Sequence, residues 1–158
     1  MRKSIIILIL SLIFVIFQES FLLEFFGNAL NPNLVISLCF GFMLIDDYHD
    51  ALFTAFIGGL FYDFLGVGIV GLTSFILIVF LATSRWVRKT IFRGAWVQMI
   101  FIIVTTVFFK VVMTYPDFDY SSKILASGVV NALISLIFYV VLEKIRKRFL
   151  STEYRIKA

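Results

Sequence analysis

Cysteine, histidine, proline and charged residues are all scarce in this 158-residue chain. The single cysteine, Cys39, lies in an apolar run, so an intrachain disulfide is excluded. The single histidine, His49, cannot build a multi-histidine metal centre. Charged residues make up 15% of the chain, whereas soluble domains carry about 25%. These absences exclude a disulfide scaffold and argue against a water-soluble domain.

Hydrophobic residues, by contrast, make up 61% of the chain. A domain of this length cannot bury such an excess in its own core, so we expect lipid to surround most of it. The sequence predicts an all-α polytopic membrane protein: one integral membrane domain over residues 1–158, with a basic cytoplasmic tail at residues 143–158. The predicted spans are residues 4–23, 33–45, 51–65, 69–84, 95–113 and 124–142.

The lysines and arginines indicate the orientation of the spans. If the N-terminus is cytoplasmic and the chain crosses six times, all of the 14 basic residues except Lys110 and Lys123 fall on the cytoplasmic side. We therefore predict six spans with both termini in the cytoplasm, in a multi-pass protein of a bacterial cytoplasmic membrane. No small-residue cleavage site follows the first span, so we expect that helix to be retained. The basic residues flank spans, so nucleic acid is not an expected partner.

Two short motifs invite a chemical interpretation that their context does not favour. Residues 66–71 read Gly-Val-Gly-Ile-Val-Gly, but predicted membrane helices flank them instead of a βαβ unit, so a glycine-rich turn is expected. Residues 46–50 gather three aspartates and His49. We interpret them as a solvated turn in which Asp50 caps the next helix, with cation binding the less favoured alternative. No catalytic motif is present, and we predict a non-enzymatic protein without cofactor or metal.

Small or polar residues recur every four positions on three predicted helices and so form stripes along one face of each. The stripes are Asn33, Ser37 and Gly41; Ala51, Ala55, Gly59 and Asp63; and Ser127, Asn131 and Ser135. Small residues allow close helix packing in lipid. The first two stripes predict either a tight hairpin of the second and third helices or a surface for a partner's helix. The third predicts interhelical hydrogen bonds, with a ligand cavity as the less favoured alternative.

Charged residues near the span ends suggest further contacts. Asp63 needs a partner at the edge of its span, and we expect either an ion pair with Lys110 or a Lys110 side chain that reaches the lipid headgroups instead. The last helix continues into a basic segment, which should attract anionic lipid or an acidic partner. The basic residues of that segment are Lys144, Arg146, Lys147 and Arg148.

The segment around Asp63 resembles a known family. Residues 58–65 read Gly-Gly-Leu-Phe-Tyr-Asp-Phe-Leu, and Gly66, Gly68 and the pair Gly71-Leu72 follow. This resembles MreD, the small membrane protein of the bacterial rod-shape system, which has a Gly-Leu-x-x-Asp helix end, a glycine-containing turn and a further Gly-Leu.

The resemblance implies a scaffold that binds MreC and, through it, acts with MreB, the glycosyltransferase RodA and a class B penicillin-binding protein. It also implies that Asp63 and the face formed by Ala51, Ala55 and Gly59 orient the outer end of the bundle or receive a partner. The residues we expect to serve helix packing or partner contact are Gly41, Ala51, Ala55, Gly58, Gly59, Asp63, Gly66 and Gly71.

Two other functions remain open. The substrate-binding subunit of an energy-coupling-factor vitamin transporter is also a small six-helix membrane protein, an architecture that the MreD family is thought to share. The first helix here lacks the alanines through which such subunits meet their coupling subunit. The candidate ligand-binding residues would be Asn28, Asn31, Asn33, Asp117 and Asp119. A membrane chaperone or assembly factor is the third possibility.

Overall fold

The computed structural model describes the backbone of residues 2–66, 69–90, 95–114 and 121–156. Side chains are described within these ranges except at residues 2–3, 28–29, 95, 113–114, 121 and 148–156. Every regular element in the described residues is helical, which confirms the all-α prediction.

The helices follow one another with short connections. Helix α1 (Arg2–Phe17) runs through a π-helical turn (Gln18–Leu22) into α2 (Leu23–Leu30). The remaining helices are α3 (Leu34–Leu44), α4 (Tyr48–Leu65), α5 (Leu72–Thr90), α6 (Ala95–Thr114) and α7 (Ser121–Ile156). Gly27, with φ of 65°, breaks the helical path inside α2, a conformation that glycine adopts without steric cost.

Helix α3 lies at the centre of the bundle. Its residues from Leu34 to Met43 are buried, and it packs against α1, α4, α5, α6 and α7. Around it, α1 contacts α4, α4 contacts α5, α5 contacts α6, and α6 contacts α7. The rings of Phe14 and Phe138, 5.3 Å apart, bring α1 against α7. Five helices thus enclose a sixth.

Helices α3 and α7 run parallel along their whole contact. From one end to the other, Asn33 meets Asn131, Ser37 meets Ser135, and the carbonyl of Ile45 meets Arg146. The two helices therefore share one direction within the bundle.

Predicted helix boundaries agree with the structure at α3 and α6 and differ elsewhere. Helix α4 begins at Tyr48, earlier than predicted, because Asp47 caps it and accepts a hydrogen bond from the Asp50 amide at 3.4 Å. The prediction that Asp50 is the cap is wrong: Asp50 lies in the first turn and is buried. Helix α5 continues to Thr90, and α7 continues through the basic segment to Ile156.

The interior holds polar side chains beside its apolar core, and the outer surface carries many large apolar side chains. Gln18, Asn131, Thr105 and Ser135 are buried, whereas large apolar side chains lie exposed on the outside of every helix of the ring. Two helical stretches, Ser4–Gly27 and Ser122–Lys147, are long and apolar enough to cross a membrane by length and composition. The apolar stretches Leu34–Leu44 and Trp96–Val112 are shorter.

Candidate functional site

The motif residues Gly59, Asp63 and Gly71 form one structural unit where α4 meets α5. A Cβ atom at Gly59 would lie 2.6 Å from the Cα and backbone nitrogen of Ser74, so only glycine permits this contact. The Ser74 hydroxyl donates to the carbonyl of Phe56 at 2.8 Å across the same contact. The two helices therefore cross almost backbone to backbone.

Asp63 ties this crossing to the turn that follows. Its Oδ2 accepts hydrogen bonds from the amides of Gly71 at 2.7 Å and Thr73 at 3.1 Å, at the start of α5. A carboxylate at a helix N-terminus satisfies amides that have no partner within the helix, and it is favoured by the helix dipole. Gly71 reaches this position with φ of 90°, which a side chain would strain. Asp63 is only 2% exposed, so it serves packing within the chain.

A second polar cluster surrounds Lys110 near the same end of the bundle. Glu19 receives hydrogen bonds from Gln18, at 3.3 Å, and from the Tyr62 hydroxyl, and its charge acts on Lys110. The Oε1 atom of Gln18 accepts from the amide of Leu34 at 2.9 Å. The π-helical turn thus places Gln18 and Glu19 against the ends of α3, α4 and α6.

Asp63 and Lys110, the proposed ion pair, each have other polar neighbours. Asp63 is held by backbone amides, and Glu19 is an acidic neighbour of Lys110. An ion pair with Lys110 is therefore not required to account for the burial of Asp63. Gln18, Glu19 and Tyr62 were not predicted, although a glutamine and a glutamate near the end of an apolar run were a visible signal.

The stripes on α3 and α7 meet in the centre of the bundle. Asn131 Oδ1 accepts a hydrogen bond from the backbone N–H of Asn33 at 2.9 Å. Asn131 Nδ2 donates one to the hydroxyl oxygen of Thr106 at 2.9 Å. Ser135 donates to the carbonyl of Ser37 at 3.0 Å, and a Cβ at Gly41 would lie 2.9 Å from the Cβ of Phe138. The interhelical hydrogen bonds predicted for α7 are confirmed.

The close packing predicted for α3 and α4 is confirmed, but the α3 stripe does not form that contact, since it faces α7. Helix α4 does pack against α3, but through Gly58, whose Cβ would lie 2.6 Å from Val35 Cγ1. Ala51 and Ala55 are fully buried in the same core. The α4 stripe is therefore occupied by the chain's own helices and does not present a free surface for a partner. Gly66 ends α4, and its amide donates to the carbonyl of Tyr62 at 2.9 Å.

The opposite end of the bundle, which we call the basic end, contains the 46–48 turn, the last turns of α5 and residues 143–147 of α7. Arg88 contacts Asp46 Oδ1 at 2.8 Å and the carbonyl of Met43 at 3.0 Å. Arg146 donates to the carbonyl of Ile45 at 2.8 Å. These arginines bind carbonyls at the end of α3, where cations are favoured by the helix dipole.

Other predicted residues of the basic end lie at its surface. Lys144 is exposed, and Lys147 forms an ion pair with Glu143 at 2.9 Å, while the side chain of Arg148 lies outside the described residues. In the acidic turn, Asp46 binds Arg88, Asp47 caps α4 and the His49 side chain is 92% exposed. Among the described side chains, no three metal-ligating groups converge.

Comparison with models of known families, with curated proteins and with solved structures finds no match. A functional assignment must therefore rest on the residues and contacts described above.

Proposed function

We propose that this chain is a non-enzymatic membrane scaffold of the bacterial cell-wall elongation complex, related to MreD. In this role it binds MreC and helps to position peptidoglycan synthesis, in contact through MreC with MreB, RodA and a class B penicillin-binding protein. It spans the cytoplasmic membrane six times, with both termini in the cytoplasm.

The observation that carries the proposal is the unit formed by Gly59, Asp63 and Gly71. These are the positions through which the sequence resembles MreD, and each has a physical reason for its residue type. Gly59 permits the backbone contact with Ser74, Asp63 binds the amides at the start of α5, and Gly71 has a positive φ. All three motif residues have structural roles at one end of the bundle. Such roles suit a scaffold, which holds partner proteins and catalyses no reaction.

The outer surface and the placement of the basic residues both support the membrane arrangement. The outward apolar side chains suit a lipid environment. Arg85, Arg88, Arg146 and Lys147 share the basic end, and Lys110 lies near the other. This separation is the one that the positive-inside rule associates with a cytoplasmic end.

The second candidate, a vitamin-binding subunit, would have to bind its ligand at asparagines that lie inside the bundle, where Asn31 Oδ1 and Asn33 Nδ2 have no hydrogen-bond partner among the described residues. Asn31 is 7% and Asn33 3% exposed, and both engage α7 through their backbones, since Ser127 donates to the Asn31 carbonyl and the Asn33 amide donates to Asn131. The side chain of Asn28, like Asp117 and Asp119, lies outside the described residues. The experiment below distinguishes the vitamin-binding candidate from the scaffold.

The test is affinity purification of the tagged chain from native membranes in mild detergent, followed by mass spectrometry. We expect MreC to be recovered with the wild type. Asp63→Asn should lower its recovery, because the substitution loosens the α4 to α5 turn at the end of the bundle. Asp46→Asn is the matched control, since it removes an acid from the basic end, and it should leave recovery unchanged at an equal amount of membrane protein.

Two results would contradict the proposal. One is the absence of MreC and wall-synthesis enzymes from the wild-type sample. The other is recovery of a transporter ATPase with its membrane coupling subunit, which would establish the vitamin-binding alternative.

A further inference from the structure

A cavity of about 480 Å³ opens at the basic end, between the turn after α3, the start of α4 and the last turns of α5. Its lining residues are Met43, Asp46, Tyr48, Arg85, Arg88 and Lys89. Three cations face one carboxylate, so the lining carries a net positive charge. The volume lies within the range of about 300–1,000 Å³ typical of small-molecule sites.

Arg88 builds the wall of this cavity. Its guanidinium contacts both carboxylate oxygens of Asp46, at 2.8 and 3.2 Å, and it also donates to the Met43 carbonyl. These contacts neutralise Asp46 and hold the turn in which Asp46 has a φ of 63°. The excess positive charge of the cavity therefore belongs to Arg85 and Lys89.

Arg85 is held in place without losing its charge. Its guanidinium carbon lies 3.8 Å from the centre of the Tyr48 ring, and such stacking orients the planar group while leaving its N–H donors directed along its edges. Arg85 is half-buried, whereas Lys89, about one turn further along α5, is exposed at the mouth of the cavity. A guanidinium in a fixed plane beside an exposed ammonium suits the oxygens of a phosphate group.

Exposed tryptophans indicate the depth of the cavity in the membrane. Trp86, next to Arg85, is 60% exposed, and Trp96, at the start of α6, is 83% exposed. Tryptophan concentrates at the level of the lipid headgroups, and basic pockets between helices on the cytoplasmic side bind acidic headgroups. A cavity at this level lies within reach of lipid headgroups.

We propose that this cavity binds the phosphate of an anionic phospholipid headgroup, with Arg85 and Lys89 as the residues that contact it. The proposal depends on the membrane arrangement described above but not on membership of the elongation complex. A failure to recover MreC would therefore leave it standing.

The experiment uses the full chain, purified and stripped of lipid in detergent, with binding measured by native mass spectrometry. The probes are phosphatidylglycerol, phosphatidylcholine and soluble glycerol phosphate. We expect phosphatidylglycerol to bind the wild type in preference to phosphatidylcholine. Arg85→Gln combined with Lys89→Gln should weaken that binding about tenfold or more, because it removes both cationic donors that contact the phosphate inside the cavity.

Two double variants provide matched controls. Lys144→Gln with Lys147→Gln removes the same charge from the exposed surface of α7 and should weaken binding by less than about threefold, since these residues lie outside the cavity. Arg85→Lys with Lys89→Arg keeps the charge but removes the guanidinium stacked on Tyr48, so its binding should lie between that of the wild type and that of the double glutamine variant.

Three results would overturn the proposal. Equal losses in the cavity variant and the α7 variant would show general surface attraction. Equal binding of both lipids would remove the role of charge. Displacement of phosphatidylglycerol by glycerol phosphate at equal concentration would identify a soluble phosphate compound as the ligand.

Discussion

Replacing Gly59 by alanine should destabilise the bundle more than replacing any other helical glycine with a described environment. The added Cβ would lie 2.6 Å from the backbone of Ser74, whereas carbon atoms pack at about 3.5–4.0 Å. Helices α4 and α5 would have to separate by about 1 Å at this point. Backbone atoms cannot turn aside as a side chain can, so the shift must extend to the contact between Asp63 and the start of α5.

The expected cost follows from three contributions. Overpacking costs about 1–3 kcal/mol, and weakening the hydrogen bonds of the Asp63 carboxylate costs about 1.5–3 kcal/mol. The higher helix propensity of alanine returns about 1 kcal/mol. We therefore expect Gly59→Ala to lower the free energy of unfolding by about 1.5–5 kcal/mol.

Titration with sodium dodecyl sulfate in mixed micelles, followed by the fluorescence of Trp86 and Trp96, would measure this loss. Gly128→Ala is the matched control, because its Cβ would lie 3.2 Å from a side-chain methyl of Ile103 and the propensity gain is the same. We expect Gly128→Ala to stay within about 1 kcal/mol of the wild type. Equal stability of Gly59→Ala and the wild type would refute the close-contact argument.

Three further changes should alter the same titration. Asp63→Asn should cost about 1–2 kcal/mol, because a neutral amide is a weaker acceptor for the amides of Gly71 and Thr73; unchanged stability would contradict this role. Asn131→Leu should lower the free energy of unfolding by about 2–4 kcal/mol, because it leaves the buried backbone N–H of Asn33 without its acceptor. Unchanged stability would show that this hydrogen bond does not stabilise the contact between α3 and α7. Gln98→Leu should stabilise the protein by about 1–2 kcal/mol, because both polar atoms of Gln98 are buried with no hydrogen-bond partner among the described residues; a clear loss would reveal a contact beyond them.

The sequence predicted the all-α class and the order of the apolar helices because turn residues separate the apolar runs, but only the ends of α3 and α6 were close to those observed. It also predicted that Asn131 and Ser135 form interhelical hydrogen bonds, since a four-residue spacing places polar groups on one face. The partner of each face could not be predicted, because the spacing does not say which neighbour a helix meets. For this reason the spacing left a hairpin with α4 and a partner's helix as alternatives for the α3 stripe, whereas the stripe packs on α7.

The polar contacts at the helix ends were harder to predict. The π-helical turn that directs Gln18 and Glu19 inward has no sequence signature in a run of ordinary helix formers, and it depends on packing against α3, α4 and α6. Asp47 could be distinguished from Asp50 as a cap only once the turn conformation at Asp46 was known. The cavity at Arg85 arises because α5 extends beyond its apolar run and meets Tyr48.

The membrane arrangement underlies both proposals, and cysteine labelling tests it most directly. Cys39 is buried and is the only cysteine in the chain, so Cys39→Ser provides a background for single cysteines at the exposed positions Ile69, Thr90, Ser122 and Lys144. In intact spheroplasts, a membrane-impermeant maleimide should label Ile69→Cys and Ser122→Cys. It should label Thr90→Cys and Lys144→Cys only after the membrane is opened. Labelling of Thr90→Cys or Lys144→Cys from outside would contradict a cytoplasmic basic end and the account built on it.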